Sequence, residues 1–175
     1  MSFRKEKKYK LTIYEFNFLK NRLIRNGMRK LFETRFVNSL YYDTSSNHMF
    51  HHSEEGVLPR KKVRIRWYGS NNQYSIENKI SSIEGRYKIN LALKEDLSKG
   101  FPKTLIDQSY GLLEPSLLVS YERNYYLFKG LRITFDSFIK YKNIRIAKTL
   151  EFEDPERVME IKTSAEASED FIENL

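Results

Sequence analysis

The chain contains no cysteine, which excludes a disulfide framework and any thiolate-held zinc. It also lacks a long apolar run; none approaches the roughly 18 residues that a membrane-spanning helix needs. The basic opening MSFRKEKKYK has no apolar stretch behind it, so it does not read as a secretory signal. The expectation is a cytoplasmic domain with no transmembrane segment of its own. Glycine and proline are scarce, at seven and four in 175 residues. Low-complexity tracts, internal repeats and interdomain linkers do not show, so residues 1–175 read as a single domain.

What is present is a core and an excess of positive charge. Apolar residues make up 40% and aromatics 14% of the chain, enough for a core and an argument against disorder. Thirty-one Lys and Arg against twenty-three Asp and Glu give a net +8. Such a balance selects anionic partners: nucleic acid, an acidic membrane surface or a phosphorylated small molecule. Net charge alone does not choose among them.

The residue pattern predicts a mostly antiparallel α+β fold. After an extended segment Phe3–Lys10, Thr12 followed three residues later by Glu15 forms a capping-box pattern, and Gly27 can end the helix. Ile13, Phe16, Leu19 and Leu23 recur at helical spacing and predict its packed face. Strands are expected at Phe36–Asp43, Arg60–Gly69, Tyr74–Ile80, Arg86–Leu91, Leu117–Asn124, Leu131–Phe138, Lys142–Lys148 and Arg157–Thr163. A short second helix is expected over Pro102–Tyr110, a long loop over residues 44–59, and a helix start from Ser168.

The strands alternate in an unusual way, because their polar positions hold long ionic side chains. Arg60, Lys62, Arg64 and Arg66 share one face and Val63, Ile65 and Trp67 the other. Collected over all strands, the ionic faces carry thirteen bases: Arg4, Lys8, Lys10, Arg60, Lys62, Arg64, Arg66, Lys79, Arg86, Lys88, Arg123, Arg132 and Lys162. Four acids, Glu6, Glu77, Asp136 and Glu160, share them. These faces hold more positive charge than the whole chain's +8, so the remainder is about neutral. An open sheet with one solvated face accounts for any single strand. The whole set favours a closed barrel of about eight strands, ionic inside and apolar outside under helices. A dozen cations cannot be buried dry, since each carries a penalty of several kcal/mol. They call for water and a polyanion, and a phosphate chain supplies acceptors for the planar arginine forks.

Seven strings carry a family resemblance: Arg4-Lys5-Glu6-Lys7-Lys8-Tyr9, Ser39-Leu40-Tyr41-Tyr42-Asp43-Thr44, Arg64-Ile65-Arg66-Trp67-Tyr68-Gly69, Glu77-Asn78-Lys79, Tyr121-Glu122-Arg123, Arg132-Ile133-Thr134-Phe135-Asp136 and Glu160-Ile161-Lys162. In that order they resemble the vacuolar transporter chaperone (VTC) polyphosphate polymerase domain, a branch of the CYTH-like triphosphate tunnel metalloenzymes. The resemblance implies a basic tunnel in which the γ-phosphate of ATP is transferred to inorganic polyphosphate with Mn²⁺ or Mg²⁺. It implies catalytic, phosphate-gripping roles for Lys8, Arg64, Arg66, Lys79, Lys88, Arg123 and Arg132. Arg4, Lys10, Arg60, Lys62, Tyr121 and Lys162 would bind substrate, Glu160 would hold the metal, and Glu6 is a weaker metal candidate. A membrane-embedded partner protein is compatible with it; no oligomeric state follows.

Two departures bear on function. Arg4 stands where the wider superfamily has a glutamate, which disfavours a hydrolase needing a metal-activated water. The family usually continues to a last basic element after its Glu-x-Lys strand, and this chain stops at Leu175 without one. That leaves truncation or the lack of a functional basic wall as alternatives. No Walker-type or kinase Gly-rich loop is present, so cationic walls would replace a phosphate-cradling backbone. The competing readings are a non-catalytic polyphosphate- or nucleotide-binding module and a triphosphate hydrolase. His48, His51 and His52 read as a surface loop, Trp67 and the Tyr41-Tyr42 pair as core. Strict alternation argues against a nucleic-acid patch at Lys7-Lys8 and Arg60-Lys61-Lys62.

Overall fold

A computed structural model of the chain describes residues 4–69, 73–83, 85–93, 97, 100–146 and 151–164. The elements run β1 (Arg4–Leu11), α1 (Ile13–Arg25), β2 (Arg29–Asp43), α2 (His48–Glu54), β3 (Arg60–Tyr68), β4 (Tyr74–Ser82), β5 (Gly85–Leu93), β6 (Leu105–Asp107), β7 (Gly111–Phe128), β8 (Leu131–Asn143), β9 (Glu151–Glu153) and β10 (Arg157–Ser164). Strands hydrogen-bond in the order β1-β10-β8-β7-β2-β3-β4-β5, with β6 on β7 and β9 on β8. The strand pairs whose register is defined are all antiparallel. Contacts fall into two compact units, and β2, β7 and β8 each supply residues to both.

The first unit holds residues up to Arg35, Glu122–Ile139 and Asp154 onward. Its helix α1 starts as the sequence predicts. The Thr12 hydroxyl accepts from the Glu15 N–H at 3.2 Å, and the Glu15 carboxylate accepts from the Thr12 N–H at 2.8 Å. Gly27, at φ +98°, ends it. Phe16 and Leu23 of α1 are buried with Leu131, Ile133, Phe135, Met159 and Ile161 of β8 and β10. Ile13, expected on the packed face, is instead 55% exposed, because as the first helical residue it precedes the turn that meets the sheet.

The second unit holds Phe36–Tyr121 and Lys140–Glu153. Its core joins Leu40 and Tyr42 of β2, Val63 and Ile65 of β3, Tyr74, Leu97 and Leu113. Met49 of α2 is buried in the same cluster, with Trp67 packed against it. Residues 44–59 are therefore not one long loop. The Asp43 carboxylate accepts from the backbone N–H groups of Thr44 (2.8 Å), Met49 (2.9 Å) and Phe50 (2.9 Å). The Asp43 side chain at the end of β2 thus satisfies two donors that the start of α2 leaves open.

Three further expectations are corrected. Pro102–Tyr110 is not a helix: Leu105–Asp107 pairs with Gly111–Leu113. The Asp107 carboxylate there accepts from Ser109 N–H (2.9 Å) and Tyr110 N–H (3.2 Å), an Asx-type turn that competes with helix. Lys142 belongs to β8 rather than to a separate strand, and residues 147 and 148 lie outside the described residues, as does the tail from Ser168. The barrel is not closed by pairing among the described residues, since the strand path has two ends, β1 and β5. Strand β5 is an edge whose Tyr87, Ile89 and Leu91 remain exposed, which is what an unpaired outer strand leaves behind.

Candidate functional site

Strand register assembles one ionic face in each unit. In the second unit the rows across β3, β4 and β5 are Arg60–Ser81–Arg86, Lys62–Lys79–Lys88, Arg64–Glu77–Asn90 and Arg66–Ser75–Ala92. These rows hold seven bases and the single acid Glu77. The middle lysine row sets three like charges directly opposite one another, a costly arrangement in a sheet that the Glu77 carboxylate relieves in part by accepting from Lys88.

Glu77 organises this face. Its side chain is 4% exposed, and its Oε2 accepts from Arg64 Nε at 2.7 Å and Arg64 Nη2 at 2.5 Å. Lys88 donates to its other oxygen, and Arg66 Nη1 stands 3.7 Å away. Burial alone would raise the Glu77 carboxyl, but the Arg64 charge, the Lys88 hydrogen bond and the Arg66 charge outweigh it and bring it down to about 2. Arg64 also donates to the Tyr41 hydroxyl at 2.8 Å. Burial acts to raise the Tyr41 phenol, yet the nearby Arg64, Arg66 and Lys62 charges leave it below its ordinary value. Arg66 donates to Ser39 Oγ at 3.1 Å and to the Tyr121 hydroxyl at 3.1 Å. Both guanidinium groups are thus buried and fixed before any ligand arrives.

The ionic face of the first unit is more evenly balanced. Its rows across β8, β10 and β1 are Arg132–Lys162–Glu6, Thr134–Glu160–Lys8 and Asp136–Val158–Lys10. Arg123 of β7 makes a two-pronged pair with Asp136 at 2.6 and 2.6 Å and stands 3.6 Å from Glu160. Lys162 lies 3.6 Å from Glu160 and donates to Glu6 at 2.8 Å; Lys8 is 3.9 Å from Glu160. Burial, opposed by Arg123 and reinforced by the Glu160 charge, raises the Asp136 carboxyl. Arg132 Nε and Thr134 Oγ1 are buried on this face without a hydrogen-bond partner. Orphaned polar atoms of that kind suit a site completed by a ligand.

The predicted residues thus separate. Arg64, Arg66, Tyr121, Lys62, Lys79 and Lys88 fall in the second unit, while Lys8, Lys10, Arg123, Arg132, Lys162, Glu6 and Glu160 fall in the first. Lys10 pairs with Glu156 at 2.9 Å at the solvent-exposed edge. The Arg4 side chain lies outside the described residues. Arg60 begins β3, and its guanidinium turns back to the Val57 carbonyl at 3.3 Å rather than joining Arg64 and Arg66. The residue-by-residue reading passed over Tyr41 and Ser39 as ligands of the arginines, and the lysine row as a unit. Their signal was positional: Tyr41 and Ser39 alternate on β2 as Arg64 and Arg66 do on β3.

A divalent ion is partly provided for. No group of three His, Cys, Asp or Glu side chains with metal-binding placement occurs among the described residues, so an all-protein cage is excluded there. Mg²⁺ and Mn²⁺ are commonly held by one or two carboxylates with substrate phosphates. Glu160, with its cationic neighbours no closer than 3.6 Å, keeps lone-pair capacity for such an ion.

Solved structures share this mostly antiparallel, CYTH-like fold. A candidate adenylate cyclase from Bacillus halodurans superposes with a TM-score of 0.63 at 15% identity, covering 99% of this chain and 85% of that one. A candidate adenylyl cyclase from Hippeastrum, described as having a dominant triphosphatase activity, gives 0.53 at 14% identity, covering 98% and 83%. The PH1012 protein of Pyrococcus horikoshii OT3 gives 0.55 at 12% identity, covering 97% and 85%. No curated protein matches the chain by sequence. The profile of the VTC domain matches residues 3–111 and 103–175. The chain belongs to the VTC domain family.

Proposed function

We propose that residues 1–175 act as one VTC-type catalytic domain that transfers the γ-phosphate of ATP onto a growing inorganic polyphosphate chain. The observation that carries this reading is the pre-set Arg64–Arg66 pair beside the lysine row Lys62–Lys79–Lys88. The arginine forks match phosphate oxygens, and the lysines neutralise successive charges of a chain rather than a single anion. In the reaction, a terminal oxygen of the polyphosphate attacks the γ-phosphorus of ATP, the bond to the bridging oxygen breaks, and ADP leaves. Phosphoryl transfer needs little covalent help, so alignment and charge neutralisation by these side chains carry the catalysis. Arg64 and Arg66 hold equatorial oxygens, with Glu77 and Ser39 keeping the forks in position and Tyr121 adding a hydroxyl.

Triphosphate tunnel enzymes generally use divalent metals. Here Glu160, with Glu6 as a weaker second, would hold Mn²⁺ or Mg²⁺, which when bound withdraws charge from phosphate oxygens. Arg123, Arg132, Lys8, Lys162 and, at the edge, Lys10 and Arg4 would complete the cationic surroundings. No helix among the described residues is long and apolar enough to cross a membrane. Incubation of the protein with ATP and Mn²⁺ should yield a polyphosphate ladder on a stained gel with ADP accumulating. Release of orthophosphate without chain would instead support a triphosphatase. Binding of polyphosphate without ATP consumption would support a binding module.

A further inference from the structure

On the face of β3–β5 that carries Lys61, Ile80 and Tyr87, opposite Arg64 and Glu77, the second unit contains a half-open cavity of about 510 Å³. Its walls include His48 and His52 of α2, Arg60 and Lys61 at the start of β3, Tyr87 of β5 and Tyr110. The volume lies within the range of small-molecule sites, roughly 300–1,000 Å³. Of the residues proposed to carry the phosphate chain only Arg60 lines it, and its guanidinium turns to the Val57 carbonyl at 3.3 Å.

The polar lining is already oriented. His52 Nδ1 lies 3.0 Å from the Tyr110 hydroxyl, and the His48 and His52 rings are stacked 6.4 Å apart at 6°. Tyr87 remains 46% exposed, leaving an aromatic surface open to a ligand. Charge in the cavity is limited. Lys61 is paired with Asp107 at 2.6 Å, whereas Arg60 has only the Val57 carbonyl, at 3.3 Å, and no acidic partner among the described residues. One uncompensated guanidinium with two imidazoles matches a single phosphate group, in contrast to the lysine row, which matches a chain. The tyrosines supply what a bare phosphate would leave unused, a stacking surface for a flat ring.

We propose that this cavity is a second ligand site, taking a small phosphate monoester that carries a flat ring, of the nucleoside monophosphate class. The phosphate meets Arg60 and the His48–His52 edge, and the ring lies against Tyr87. The proposal does not depend on the phosphate-chain reading of the opposite face.

All three histidines of the chain lie in α2, and His51 does not line the cavity, so the imidazole NMR signals contain their own control. Titration with AMP should move the His48 and His52 signals along one saturable curve while His51 moves little. Arg60→Ala should weaken AMP binding at least tenfold, and orthophosphate should bind at least tenfold more weakly than AMP. Tyr87→Ala, at an exposed position, should reproduce the loss for AMP should Arg60→Ala fail to fold. Parallel, unsaturable movement of all three histidines overturns the proposal. So does an AMP curve unchanged in both variants, or equal affinity for orthophosphate and AMP.

Discussion

Replacing Glu77 by glutamine removes the one acid from a face that holds seven bases in register while keeping the side chain's shape. The folded protein holds this carboxyl at about 2, against an ordinary 4.5. At about 1.36 kcal/mol per tenfold change, that depression corresponds to roughly 3 kcal/mol of stability at neutral pH. Because the folded value lies below the unfolded one, the contribution is complete above about pH 5. It fades as pH falls through 4.5 and is gone near 2. Glu77→Gln should therefore melt roughly 6–12 °C below the parent at pH 7, taking about 2–4 °C per kcal/mol for a domain this size. The two proteins should converge as pH falls towards 2, to the extent that both remain folded. The same substitution removes an anion from the path of an anionic ligand. Tripolyphosphate should thus raise the melting temperature of Glu77→Gln by more than it raises that of the parent, since it replaces the lost counter-charge. Thermal melts by circular dichroism at pH 7 and at lower pH, with and without tripolyphosphate, read all of this. A variant that melts with the parent at pH 7 would refute the keystone role. Destabilisation at pH 7 with no added gain from tripolyphosphate would leave Glu77 structural and remove the face from phosphate binding.

Other substitutions separate gripping from folding. Glu160→Gln should abolish metal-dependent turnover while leaving polyphosphate affinity intact or tighter; a large loss of affinity would refute its assignment to the metal. Arg66→Ala should weaken tripolyphosphate binding by about 1.5–3 kcal/mol, roughly 10- to 150-fold, measured by calorimetry; unchanged affinity would place the ligand elsewhere. Ile65→Ala, at a fully buried position, should cost about 2–5 kcal/mol of stability and spare affinity in the folded fraction. Asp43→Ala strips the acceptor from three backbone N–H groups and should destabilise the α2 region by about 1–3 kcal/mol, seen as faster amide exchange at Met49 and Phe50.

The strands and α1 were legible because they rest on local rules. Alternation of ionic and apolar residues fixed the faces of β3, β4, β8 and β10, and Thr12 with Glu15 fixed the start of α1. What escaped depends on contacts distant in sequence or on side chains that capture backbone. Helix α2 begins at Asn47 in a left-handed conformation, with no side-chain cap of its own. Its donors are met by Asp43, which sits at the end of a strand and reads as part of it. Asp107 likewise ends the segment expected as a helix in a tight connection by taking two N–H groups. The ends of β2, β7 and β8 were underestimated because their outer portions carry mixed residues. Their pairing partners, rather than their own pattern, keep them extended.

Summing the ionic faces captured their excess charge but concealed a division that only register reveals. Pairing places the lysines of β3, β4 and β5 in a single row, whereas on β8, β10 and β1 it sets Lys8 beside Glu160 and Lys162 beside Glu6. The first arrangement has one carboxylate for seven bases in register, so on the proposed reading each phosphate that enters would lower its free energy, and salt should weaken that binding. The second already neutralises much of its own charge and keeps three carboxylates within the same few residues, one of them, Asp136, held above its ordinary protonation range. A site that only retained polyphosphate would gain from more lysines in those positions. Acids kept beside bases would weaken retention of a polyanion, and the proposed reading accounts for them if this surface also positions a cation against the reacting phosphate. The balanced face is therefore the stronger argument for chemistry, as the lysine row is for grip.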